Sequence, residues 1–152
     1  MKECVDLVSN FVPKDKVIVS TIDKYGNKEE SVSKGGIAQG MPLVVLIDGG
    51  TASASEIVAG AIRDYDLGTL VGTTSFGKGI VQVVLDKIGQ EKDGTALKVT
   101  ISKYYTPDGE NIHGTGISPD ITVEIPQEVL EVEYSRNIDP QFQKALEVIK
   151  EK

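Results

Sequence analysis

The stretch DGGTASASEIVAGAIRDYDLGTLVGTTSFGKGIVQ, residues 48–82, decides the fold and carries the candidate chemistry. Just before it, Leu43 to Ile47 is a short apolar, β-prone run, ended by Asp48, Gly49 and Gly50, which permit a sharp turn. Within it, Ile57, Val58, Ala61, Ile62 and Tyr65 recur at helical spacing, while Glu56, Arg63, Asp64 and Asp66 lie mostly off that stripe. The pattern predicts a buried strand, a helix, a second strand at Thr69 to Val71, and then a lysine flanked by glycines. Ser53 and Ser55 therefore fall at a helix N-terminus, where backbone N–H groups are unpaired and negative charge is stabilised.

Two readings of those serines compete. Ser53-Ala54-Ser55-Glu56 fits the S-x-x-E capping box, in which the hydroxyl satisfies one orphan N–H and the glutamate bonds back. Against it stands Lys78, held between Gly77 and Gly79, because a serine and a neutral lysine can form a dyad. The amine would take the hydroxyl proton as serine attacks a carbonyl, with the Ala54 N–H available to the oxyanion. Such a lysine must be neutral at working pH. Moving its pKa from ~10.4 to about 7.5 costs roughly 4 kcal/mol, which burial beside Phe76, Ile80 and Val81 can supply. A rival motif overlaps it: Gly72 to Lys78 satisfies G-x-x-x-x-G-K, the start of a phosphate-binding loop. It fails at Gly79, where Ser or Thr should bind magnesium, and at IVQVVL, which reads as a strand where that motif needs a helix.

The segments SASEIVAGAIRDY, TLVG and FGKGIVQ, followed by YYTPDGENIHGTGISPDI, resemble the carboxyl-terminal processing (tail-specific) proteases, serine peptidases with a Ser/Lys dyad. The resemblance covers most of the chain. It implies that Ser53 is the nucleophile, that Lys78, 25 positions on, is the general base, and that Gln82 orients the lysine. It implies a fold of helices packed on a β-sheet, in the manner of crotonase and Clp-like proteases, and substrates that are proteins or peptides with apolar C-termini. No cofactor and no metal is called for. If Gln82 holds Lys78, the chain around Gly79 should be turned: in a straight strand their Cα atoms would be ~13 Å apart.

Outward from this stretch, residues 2–12 place Cys4, Val5, Val8 and Val12 near one helical face, stopped by Pro13. The lone Cys4 reads as a core residue. Lys16 to Ile22, a turn at Tyr25 to Asn27, and Lys28 to Ser33 form an exposed hairpin. Ile80 to Leu85 and Ala96 to Tyr105 are strand-like around the polar segment Lys87 to Thr95, with Leu97, Val99 and Ile101 expected on a buried face. His113 lies among Asn111, Gly114 and Gly116 and reads as a surface-loop residue. Ile121 to Ile125 is a short strand, and Pro140 to Lys150 a closing helix with proline in its first turn.

The class is α/β, with hairpin strands at the margins, in one domain spanning residues 1–152. An apolar fraction of 39% and a charged fraction of 26% are ordinary for a soluble protein, and a net charge of −7 argues against a nucleic-acid or anionic-membrane partner. No apolar run approaches the ~20 residues that span a bilayer, and the start shows no signal-peptide core. Members of the resembled family are usually extracytoplasmic, whether periplasmic, secreted or membrane-anchored. They carry a peptide-binding PDZ domain and, ahead of this region, a glycine segment that supplies a second oxyanion donor; neither is seen here. The chain is thus expected to be the C-terminal part of a catalytic domain with little peptidase activity by itself. The alternative is a non-catalytic peptide-binding or assembly domain of the same fold, and homo-oligomerisation is left open.

Overall fold

A computed structural model describes residues 1–86 and 94–151. The apolar run after Pro42 becomes strand β3 (Val44–Ile47), and the helical stripe becomes α2 (Ala54–Asp64), which crosses over to strand β4 (Thr69–Gly72). β3 and β4 are parallel, Val44 beside Thr69 and Ile47 beside Gly72, and β7 (Ile121–Thr122) joins β4 on the far side. Parallel neighbours need such a crossover, since a tight turn can join only antiparallel strands. Gly72 closes the unit: a Cβ there would lie 1.9 Å from the Ile47 carbonyl oxygen, so only glycine lets β4 end this close to β3.

A second sheet is antiparallel, in the order β2-β1-β6-β5. The amino-terminal hairpin supplies β1 (Val17–Asp23) and β2 (Lys28–Val32), turned by the Asp23 carboxylate, which accepts from the N–H groups of Tyr25 and Asn27 at 2.8 and 2.9 Å. β5 (Ile80–Leu85) and β6 (Leu97–Tyr105) complete it. The connector expected between them lies outside the described residues from 87 to 93. Helix α1 (Lys2–Val8) buries Cys4, Val5 and Val8, and burial pushes the Cys4 thiol up from its ordinary pKa, in keeping with a core residue. One apolar cluster runs through both sheets, with Val8, Val12, Ile18, Ile62, Leu70, Ile112 and Ile117 wholly buried.

Several expectations need correction. The hairpin read as exposed is so only along β2, because β1, lying between β2 and β6, buries Ile18, Val19 and Ser20 in the core. Leu97 and Ile101 of β6 are exposed, and only the inward end near Tyr104 is buried, because the β5–β6 hairpin extends past the core that would have covered them. The strand expected to reach Ile125 ends at Thr122, although the Val123 N–H still donates to the Gly72 carbonyl at 2.8 Å. A short helix not foreseen, α3 (Gln127–Leu130), follows Pro126. The closing helix α4 (Pro140–Lys150) is as expected, with Pro140 in the first turn and the Asp139 carboxylate accepting from the N–H groups of Gln141 and Phe142.

Candidate active site

Ser53 is the N-cap of α2, and its backbone is strained: φ is +58° and ψ −115°, a conformation that costs a non-glycine residue about 1–3 kcal/mol. The surroundings hold it there. Its N–H donates to Glu56 Oε2 at 2.8 Å, while its carbonyl accepts from the N–H groups of Glu56 and Ile57 and from the Tyr104 hydroxyl at 3.2 Å. The S-x-x-E pattern thus does form a capping box, with the glutamate half well made. Ser53 nonetheless remains accessible on a cleft of about 270 Å³ that it shares with Ala54, Lys78 and Gln82. The Ala54 N–H lies in the first turn of α2, where no intrahelical carbonyl can reach it. Ser55 is exposed and does not line this cleft.

Glu56, placed off the apolar stripe by its spacing, is in fact fully buried and sits at the centre of the site. Its Oε1 accepts from Ser75 Oγ at 2.6 Å and from the Gly77 N–H at 2.7 Å; its Oε2 accepts from Ser53 and from the Lys78 N–H at 2.9 Å. The Tyr104 hydroxyl approaches the same oxygen at 3.5 Å. A buried carboxylate is tolerable only when its lone pairs are so occupied. One side chain therefore ties the turn carrying Ser53 to the loop carrying Lys78. Burial, and next the Glu56 charge, push the Tyr104 hydroxyl well above the ordinary phenol range, keeping it a neutral donor.

The lysine loop is fixed from the other side by residues 111–117. Gly114 N–H donates to the Gly77 carbonyl, Ile117 N–H to Ser75 Oγ at 2.8 Å, and the Asn111 amide bridges the carbonyls of Gly79 and Tyr104 at 3.0 and 2.7 Å. Gly77 has φ +85°, and a Cβ on it would meet the Gly116 nitrogen at 2.8 Å. His113 is exposed in this loop, as its sequence neighbourhood suggested. The structure brings Ser53, Ala54, Lys78 and Gln82 to one cleft, yet no hydrogen bond joins Lys78 to Ser53 or to Gln82. The turn expected over residues 78–82 is also not present. The chain is extended from Ile80, with a bulge between Val81 and Gln82, and the Gln82 amide donates instead to Thr100 Oγ1 at 3.2 Å across the β5–β6 ladder. Ladder pairing wins here because β6 supplies a partner for every residue from Ile80 to Leu85, the bulge leaving only Ile101 of β6 without one in the register.

The sequence marks Glu56 only as the glutamate of a capping box and gives Ser75, Tyr104 and Asn111 no role at the site. One signal was available for Glu56. Ala59 and Gly60 are small residues beside the main stripe, and Gly60 falls one helical turn after Glu56, on a face that packs closely. A Cβ on Gly60 would meet Thr106 Cγ2 at 3.1 Å.

The family model for peptidase family S41 matches residues 1–123. The chain belongs to peptidase family S41. It is 40% identical over 145 residues to the carboxyl-terminal-processing protease of Synechocystis sp., a match covering 95% of this chain and 33% of that protein. It is 43% identical over 131 residues to the carboxy-terminal-processing protease of Bartonella bacilliformis, covering 83% of this chain and 28% of the relative. Among solved structures, the photosystem II D1 C-terminal processing protease superposes with a TM-score of 0.71 at 35% identity, over 82% of this chain and 32% of that one. The chain spans about a third of the length of the first of these relatives. The mixed helix-and-sheet architecture is thus the S41 fold, which the resemblance implied. Among the described residues, no helix is long and apolar enough to cross a membrane.

Proposed function

We propose that this S41 chain carries the Ser/Lys dyad of a serine endopeptidase acting near protein C-termini, with Ser53 as nucleophile and Lys78 as general base. The observation that carries the reading is the shared clamp: Glu56 bonds the backbone of both residues, and both side chains line one cleft. In the reaction the neutral Lys78 amine takes the proton of Ser53 Oγ as that oxygen attacks the scissile carbonyl. The negative charge on the carbonyl oxygen is received by the Ala54 N–H at the positive end of α2. Collapse breaks the C–N bond, the lysine returns its proton to the leaving amine, and an ester on Ser53 remains. Water, giving its proton to the same lysine, hydrolyses that ester and frees the serine.

Lys78 must rotate toward Ser53 for this chemistry, a motion open to a long side chain on a cleft wall. Gln82 acts as a positioning residue from the neighbouring strand, where its amide can exchange Thr100 for the lysine amine. The substrates are proteins and peptides with apolar C-termini; Ile57, Ile80 and Val81 give the cleft apolar walls. The whole protease works outside the cytoplasm, and assembly into homo-oligomers is compatible with the exposed apolar residues of β5 and β6.

The deciding experiment replaces each serine by alanine in a full-length protease carrying these residues. Ser53→Ala should abolish cleavage, on the order of a 10⁴-fold loss or more, and Ser55→Ala should leave it nearly intact. Retained cleavage in the first with loss in the second would overturn the assignment.

A further inference from the structure

One charged residue on the cleft is left unused by the dyad. Lys98 lies on β6 opposite Val84, two residues beyond the Thr100–Gln82 pair and six from Tyr104. Register puts Lys98, Thr100 and Gln82 on one face of the sheet; Ile101 is the extra residue of the bulge, so simple alternation does not carry on to Tyr104, yet Lys98 and Tyr104 both line the cleft that holds Ser53. From Tyr104 to Lys98 the strand runs roughly 20 Å at about 3.3 Å per residue. The lysine is exposed and forms no ion pair with a described residue. The cleft lining holds Lys78 and Lys98 and, among the described residues, no carboxylate, in a chain of net charge −7. If Lys78 is neutral when it acts as a base, Lys98 is the one lasting side-chain cation among the described residues of the lining. Glu56 lies buried beneath the Ser53 end with its lone pairs occupied, so the exposed side-chain charge at the outer end of the cleft is that of Lys98, which attracts anionic groups.

We infer that Lys98 is a specificity residue that receives a carboxylate of the bound peptide, a few residues along the extended chain from the bond to be cut. This rests on the reading of the cleft as a peptidase site. The carboxylate could be the peptide's own C-terminus or an acidic side chain, since the ammonium group recognises the shared charge. Thr100 and Gln82, between the lysine and the dyad, offer hydrogen bonds to the intervening backbone.

The test uses the Ser53→Ala chain, so that nothing is cleaved, and three dye-labelled apolar hexapeptides: one with a free C-terminus, one amidated, and one amidated with a glutamate as the last residue. Binding is followed by anisotropy at low salt. The free acid should bind about fivefold more tightly than the plain amide, as expected for one accessible ion pair. That preference should vanish in Lys98→Gln, persist in Lys98→Arg, and fade as salt is raised. Preference for the free acid alone assigns the site to the C-terminal carboxylate; equal preference for the glutamate peptide makes it a general carboxylate site. Equal binding of acid and amide, a preference that survives Lys98→Gln, or no binding by any of the three overturns the inference. Labelling of Ser53 by a fluorophosphonate in a full-length protease carrying these residues, and in its Lys98→Gln variant, judges the nucleophile separately. Loss of labelling in both would remove the peptidase reading, whereas equal labelling with no carboxylate preference removes only the role of Lys98.

Discussion

The two ends of β6 are built on opposite terms. At the inner end, Tyr104 is 3% exposed and its hydroxyl is tied to the Ser53 carbonyl and to Glu56. At the outer end, Leu97 is 49% and Ile101 44% exposed, and Lys98 stands in solvent. One strand thus serves a locked interior, where backbone geometry is fixed by occupied lone pairs, and an open rim free to meet a partner. The difference shows that precision at this site comes from buried hydrogen bonds and not from strand pairing as such, which resumes beyond the bulge and runs on into the rim.

The sharpest way to break the contrast is Glu56→Gln. An amide presents one acceptor where a carboxylate has two, and its NH₂ would face either Ser75 Oγ and the Gly77 N–H or the N–H groups of Ser53 and Lys78. We expect a loss of about 3 kcal/mol or more in folding stability, with cleavage lost in the folded fraction as well. Denaturant unfolding and a cleavage assay measure the two separately; a stable, fully active variant would show that the clamp is incidental. Next is Gly77→Ala, which combines φ +85° with a Cβ at 2.8 Å from the Gly116 nitrogen. A destabilisation of about 1–3 kcal/mol is expected, with Lys78 displaced. Normal stability and activity would mean that the lysine loop tolerates movement.

Tyr104→Phe should cost about 1 kcal/mol. It also has a pH signature. The folded Tyr104 stays protonated above its ordinary pKa of 10.0, because burial and then Glu56 disfavour the phenolate. The unfolded chain loses that proton from about pH 10 upward, so stability fully present below pH 10 falls as pH rises, by up to about 1.4 kcal/mol per unit for this group. Unfolding measured at pH 9 and 11 should show a smaller alkaline loss in Tyr104→Phe than in the parent chain. An equal loss in both would place the alkaline sensitivity elsewhere. The smallest effect belongs to the rim: Ile101→Thr should change stability by less than about 0.5 kcal/mol, and a large loss would reveal packing on that face.

Much of the fold was legible because its strands and helices obey local periodicity. β5 matches the run from Ile80 to Leu85, and the closing helix begins at the proline that suits its first turn. The rim of β6 was misjudged because alternation identifies two faces without saying whether anything covers the apolar one. At the site, motif spacing pointed to Ser53 and Lys78, and the structure puts both on one cleft. The partner of Gln82 was not readable, since it depends on strand register, which places Thr100 opposite. Glu56 was read only as a cap because a local pattern already explained it. Its remaining donors come from residues 75–78 and 104, which no local motif connects to position 56.

The carboxylate of Glu56 also sets an order of events during synthesis. Residues 53–56 leave the ribosome well before Ser75, Gly77, Lys78 and Tyr104, whose N–H and O–H groups make its burial tolerable. Until those arrive, the carboxylate is better left in water, and the strained turn at Ser53 has little to keep it. On the roles proposed for Ser53 and Lys78, the serine is set only when the segment bearing the lysine has docked, so that a partly made protein would carry no armed serine.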